Sequence, residues 1–176
     1  MATTAPVFHS LVLDEIAAPD YLDVIAVPLP PRASTDPELW ARELFTLAST
    51  PVWVRVAFVV RQALAPLIGV PRGDRATAFA VQRVVGEEAL IVTPDRHLDF
   101  ACAVGVDAEH HLVRVVTAVR LHGWRGRAYF APVKVAHPIV VESMLRRTAA
   151  RLGRVGRYRF SRRRFGRPEL GSGSGH

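Results

Sequence analysis

A single cysteine, Cys102, in 176 residues excludes an internal disulfide and any zinc site built from several thiolates. Lysine is nearly absent: Lys134 stands against 22 arginines, a bias we attribute to GC-rich coding rather than function. No phosphate-cradling glycine loop and no nucleophile motif rises above background, so the sequence implies no cofactor. His9, His110 and His111 have no acidic partners at ligand spacing, and no metal is assigned. The opening MATTAPVFHSLVLDE lacks a basic segment followed by an apolar one, which sets the expectation of a reduced, cytoplasmic protein without a secretory signal. The longest apolar run, Pro51 to Val70, is interrupted by Arg55, Arg61 and Gln62. Two arginines near the centre of a bilayer span would be costly, so this run reads as a buried amphipathic helix and not as an integral membrane segment.

What is present is a chain 49% hydrophobic, long enough to bury one core without staples. Its net charge of +7 is localised. Residues 151–170 hold eight arginines and one glutamate, whereas residues 1–150 are balanced. The expected layout is one domain over residues 10–153, a flexible Arg-rich tail over 154–170, and a tag-like linker, GSGSGH, over 171–176. In the tail, arginines alternate with Tyr158, Phe160 and Phe165, a composition that suits single-stranded nucleic acid or an anionic membrane surface. Solubilising disorder accounts for the same composition. The oligomeric state is left open.

The hydrophobic period gives the order of elements. Asp20 to Pro28 is a β-rich run stopped by Pro28, Pro30 and Pro31. Thr35-Asp36-Pro37-Glu38 then starts a helix with a capping side chain and a proline in the first turn. Thr50-Pro51 starts a second helix, with Trp53, Val56, Val60, Leu64 and Leu67 on one stripe. From Thr77 the period becomes two, giving candidate strands at 77–85, 89–93, 98–106, 111–122 and 126–135. His137-Pro138 is expected to open a last helix, ended by Gly153 and Gly156, with Val141, Met144, Leu145, Thr148 and Leu152 on one face. The order β-αα-βββββ-α predicts an α+β fold: a curved antiparallel sheet wrapped around a long C-terminal helix, with two short helices after the first strand.

If Asp107 to His110 forms a hairpin turn, Val106 faces His111. Leu98, Phe100, Cys102 and Val104 then share an apolar face with Val113, Val115, Thr117 and Val119. Tyr129, Ala131, Val133 and Val135 would join it. The opposite face carries His97, Asp99, Arg114, Arg120 and His122, with Phe130 and Lys134, and is expected to be solvated.

The element order resembles the helix-grip superfamily of START lipid-transfer domains, birch-pollen allergens and aromatic polyketide cyclases. More closely, the chain resembles an uncharacterised bacterial family of that type, some members of which are fused behind an NAD(P)-binding reductase-like domain. The residues carrying this are Asp20-Tyr21-x-Asp23, Asp95-x-His97-Leu98-Asp99-Phe100, Gly126-Arg127-x-Tyr129-Phe130, and His137 seven residues after Phe130. They span roughly residues 18–150. The resemblance implies a pocket between sheet and helix and a small-molecule role. It supplies no mechanism, and no nicotinamide site carries over.

Two functions follow as expectations. One is binding of an apolar or aromatic small molecule in that pocket, with Trp40, Trp53, Phe100, Thr117, Tyr129, His137, Val141 and Met144 as the contact residues. The other is a cofactor-independent enzyme of cyclase or dehydratase type, with His97, Asp99, Arg120 and Tyr129 as acid–base candidates. Each candidate also has a plain structural reading. His97, Asp99 and Arg120 make an exposed cross-strand ion pair, Tyr129 a core residue, the tryptophans helix core, and His137 a cap. Cys102, on the apolar face with no histidine in register, reads as a small core residue. Whether the protein is an enzyme stays open at this point, as does a third role as a polyanion adaptor through the tail.

Overall fold

The computed structural model describes residues 9–46, 79–94 and 98–165; for Pro94, Tyr129 and residues 156–165 this means the backbone. The expected second helix, including Trp53, lies outside the described residues, as does His97. The elements in chain order are α1 (Leu11–Glu15), β1 (Tyr21–Pro28), α2 (Pro37–Leu44), β2 (Arg83–Val85), β3 (Glu88–Pro94), β4 (Leu98–Asp107), β5 (Leu112–Leu121) and α3 (Gly123–Phe165). The fold is α+β. Five antiparallel strands in the order β1-β5-β4-β3-β2 form a curved, open sheet that packs against the long C-terminal helix.

Local chemistry explains several boundaries. The Asp36 side chain accepts from the Glu38 amide at 2.9 Å, capping α2, and Pro37 fills the first helical position where no N–H is needed. The β4–β5 hairpin pairs Asp107 with Leu112, so its loop is Ala108–His111 and the register differs by two residues from the expected one. Asp107 accepts from the His110 amide at 2.8 Å, which pins the loop, and His111 takes the left-handed conformation at φ 54°. A shift of two preserves side-chain parity, so the inward faces predicted for β4 and β5 are kept. Cys102, Val104, Val106, Val113 and Val115 are all buried there against Met144, Leu145, Ala149 and Leu152 of α3 and Trp40 and Leu44 of α2.

Three expectations fail for identifiable reasons. The strand at 126–135 is helix: α3 begins at Gly123 and runs through His137 without a break. The alternation of Tyr129, Ala131, Val133 and Val135 is coincidental, and Val135 is 76% exposed. The operative period places Phe130, His137, Val141, Met144 and Leu145 on one side, toward the sheet. Pro132 and Pro138 lie inside this helix, each removing one backbone bond at a cost of about 3 kcal/mol or more, which tertiary burial of that stripe offsets. Gly153 and Gly156 do not end the helix, whose backbone continues to Phe165. A Cβ at Gly153 would stand 2.8 Å from Pro30 Cβ, so this glycine permits close approach of α3 to the segment after β1.

The third failure concerns the outer sheet face, which is not simply solvated. Its centre consists of Ala101, Ala103, Val116 and Ala118, buried under Leu11, Val12 and Ile16 of the N-terminal segment. Small side chains leave room for α1. Glu88, 5% exposed, anchors it: its carboxylate accepts from Ser10 Oγ at 3.0 Å and the Leu11 amide at 2.9 Å. The other carboxylate oxygen accepts from Arg114 Nη2 at 3.1 Å. Gly105 lies between Glu88 and Arg114 in register, and a Cβ there would meet Arg114 Nε at 2.9 Å. Glycine at this position lets the arginine cross the middle strand.

Candidate functional site

Alternation along β1 sends Tyr21, Asp23, Ile25 and Val27 toward α3 and leaves Leu22, Val24 and Ala26 exposed. A carboxylate at an inward position is the anomaly. Its neighbours account for it. Asp23 Oδ2 accepts from the Tyr21 hydroxyl at 2.6 Å and lies 2.9 Å from His137 Nδ1. The Tyr21 oxygen is 3.5 Å from the same nitrogen. Phe130, two helical turns before His137, meets the Tyr21 ring edge-on at 5.2 Å, and the His137 ring meets it at 5.7 Å. Tyr21, Asp23, Phe130 and His137 thus form one contact group joining the first strand to the last helix. Asp20 is structural, closing the sheet end by accepting from the Leu121 amide at 2.7 Å.

Burial alone would raise the Asp23 carboxyl, but hydrogen bonds from His137 and Tyr21, the charge of His137, and Thr117 outweigh it and hold the group below its ordinary value of 3.8. Asp23 is therefore ionised at neutral pH, and the hydrogen it shares with His137 resides on Nδ1. In the neutral ring Nε2 is then a lone-pair acceptor. Burial, reinforced by the adjacent Asp23, keeps the Tyr21 phenol protonated well above its ordinary range. Thr117 faces Asp23 directly across β1 and β5 and supports its charged form. The contact nevertheless falls short of a hydrogen bond at Asp23 Oδ1, which is buried without a partner among the described residues.

Beside this group lies a cavity of about 40 Å³, lined by Leu44, Phe45, Phe100, Cys102, Val115, Thr117, His137, Val141 and Met144. Phe45 stacks on Phe79 at 4.6 Å, and Phe79 meets Phe100 edge-on at 6.3 Å, building an aromatic wall. Burial pushes the Cys102 thiol up to about 12, so it is no nucleophile at neutral pH.

The expected contact residues Phe100, Thr117, His137, Val141 and Met144 meet at this cavity. Trp40 is fully buried in the main core, its indole N–H donating to the Ser34 carbonyl at 2.7 Å, and is not in the cavity wall. Tyr129 lies in α3 rather than on a strand beside Thr117. Asp99 and Arg120 face each other across β4 and β5, as neighbours of Ala101 and Ala118 on the face opposite the cavity. There Asp99 pairs with exposed His122 at 3.0 Å, and Arg120 is exposed. No group of three metal-capable side chains occurs among the described residues. No described helix is long and apolar enough to cross a membrane.

Sequence reasoning missed Tyr21 and Asp23 as site residues. The available signal was parity: Asp23 shares a face with Ile25 and Val27, where an unpaired carboxylate would be costly. Residues 16–144 match the family described as protein of unknown function, DUF2867, a span that includes Tyr21, Asp23, Phe130 and His137. The chain belongs to the DUF2867 family. No curated protein and no solved structure matches it. Within this DUF2867 chain, the interstrand and helix contacts of Asp23 are the polar feature that the apolar packing around it does not require.

Proposed function

We propose that this protein binds a small, mainly apolar molecule between the sheet and α3, with the guest's polar end at Thr117 and His137. The observation that carries this reading is the cavity itself: an apolar wall whose lining includes Thr117 and His137, one facing the half-buried Asp23 carboxylate across β1 and β5 and the other hydrogen-bonded to it. The element order and the sheet-on-helix packing support a helix-grip assignment, an architecture in which that space is the natural ligand site. At about 40 Å³ the cavity is smaller than the ~150 Å³ that holds a benzene ring, so an aromatic guest requires side chains to move. Met144, unbranched and adaptable, is the wall residue best suited to yield. Native mass spectrometry of the full chain, followed by displacement of a hydrophobic dye, tests the proposal. A Val141→Trp variant should abolish dye binding, and unchanged binding would refute occupancy of this cavity.

A second reading, acid–base catalysis without a cofactor, is favoured by the Asp23–His137 pair. A half-buried carboxylate fixing the tautomer and orientation of an imidazole is the arrangement that makes histidine an effective general base. In this reading His137 takes the proton, Asp23 orients it, and Tyr21 holds Asp23; Asp99 and Arg120, on the other face, have no part. Its mark is a turnover rate that His137→Gln lowers by roughly 10²-fold or more while leaving ligand affinity within a few-fold.

A further inference from the structure

We infer that α3 lays the side turned away from the sheet onto an anionic membrane surface, as a peripheral helix that does not cross it. Phe130, His137, Met144 and Leu145 form its inward stripe. At about 100° per residue, a second apolar stripe of Trp124, Ala128, Ala131, Val135 and Ile139 runs along the other side for roughly 22 Å. All five are exposed, Trp124 by 74%, Val135 by 76% and Ile139 by 63%. Packing of α3 on the sheet does not require apolar side chains there. A contiguous exposed apolar patch of this kind marks a surface that meets a partner.

Charge decides which partner. From Gly123 to Val141 the helix has no acidic residue, while Arg125, Arg127 and Lys134 are exposed along the flanks of the stripe. The Arg125 guanidinium lies over the Trp124 ring at 5.6 Å. Two arginines in the opening turns, with no acid in the first, oppose the helix dipole, and an external anion relieves that opposition. The acid that follows, Glu142, is bound by Arg146 at 2.7 Å. At the preceding end of the sheet, Asp20 accepts from the Leu121 amide and Asp99 pairs with His122. A second copy of the chain would set these cations against their own kind. Aliphatic Val135 and Ile139 give a base no ring to stack on, which disfavours single-stranded nucleic acid. Trp124 suits the headgroup level, Val135 and Ile139 the acyl boundary, and the flanking cations the phosphates of anionic lipid. The eight arginines of residues 151–170 add attraction at longer range.

The test is co-sedimentation of the full chain with vesicles of phosphatidylcholine alone or of an equimolar mixture with phosphatidylserine. The mixture should bind at least roughly tenfold more tightly. Tryptophan emission should shift to shorter wavelength on binding, and Trp124→Phe should remove that shift. The double substitution Val135→Gln/Ile139→Gln, at exposed positions, should weaken binding at least roughly tenfold while leaving thermal unfolding unchanged. Arg125→Gln/Arg127→Gln/Lys134→Gln should weaken binding to the mixture by a similar factor and provides the second reading if the first variant fails to fold. Unchanged vesicle binding in both variants would overturn the proposal, whether the attraction then traced to the Arg-rich tail or the stripe to a dimer or an oligonucleotide. Equal binding to both vesicle types would overturn it too. Val135 and Ile139 are not in the cavity wall, so either result leaves the cavity reading to its own test.

Discussion

At the scale of single residues, Asp23 concentrates the chemistry. Its carboxyl titrates below 3.8 in the folded chain, so folding favours the ionised form. That contribution is complete above about pH 5 and is lost as pH falls through 3.8 toward the depressed folded value. Asp23→Asn should therefore flatten the acid limb of stability below about pH 5, as measured by urea unfolding at stepped pH. Tyr21 has the opposite sign. Its raised value favours the neutral phenol, so its contribution is present below the ordinary tyrosine range and is lost as pH rises through it. Removing the carboxylate with Asp23→Ala strips the Tyr21 hydroxyl and His137 Nδ1 of their acceptor and should cost about 1–3 kcal/mol. Cys102, buried with its thiol pushed up to about 12, should react with Ellman's reagent at pH 8 only at the rate of unfolding. Rapid modification of the native chain would contradict its burial.

At the scale of elements, α3 shows how packing overrides local pattern. Period-two alternation around Tyr129 and two internal prolines both argue against a helix there, yet the seven-residue spacing of Phe130, His137 and Met144 fixes it as one. That spacing was present in the sequence; what was absent was any indication of which of two overlapping periods would find a partner surface. The strands were more legible, because alternation with a buried face admits one parity, and a register error of two residues leaves every inward side chain inward. Phe100 and Thr117 reach the cavity for this reason, while His137, Val141 and Met144 reach it along one stripe of α3. Asp23 stayed hidden because its partner lies on α3, more than a hundred positions along the chain, and no local rule links the two. Gly153→Ala should illustrate the same precedence. Alanine gains about 1 kcal/mol of helix propensity, but its methyl would overlap Pro30, and we expect net destabilisation of about 1 kcal/mol by thermal unfolding.

At the scale of the whole molecule, two cores share one sheet: α2 and α3 cover one face, and α1 covers the other. Glu88 joins the second of these by binding the start of α1 and Arg114 together. Glu88→Ala should leave Arg114 without its buried partner and release α1, costing about 2–4 kcal/mol, with amide exchange rising first across Ser10–Ile16. Uniform acceleration across the sheet instead would show that α1 is not an independently opening unit. Composition gave little warning of this second core. The small residues Ala101, Ala103 and Ala118 were the trace of it, since a solvated strand face has no need of alanine.

The pairing of β1 with β5 brings Tyr21 beside Val119, residues from opposite ends of the sheet's sequence, whereas β3, β4 and β5 join through near neighbours. Non-local closure of this kind is slow. The hairpins are thus positioned to form before the first strand docks, and the contact between Asp23 and His137 cannot exist until it does. In a refolding experiment, the native His137 resonance should emerge in the slowest phase, after amide protection in β4 is complete, so that the site matures as the final act of folding.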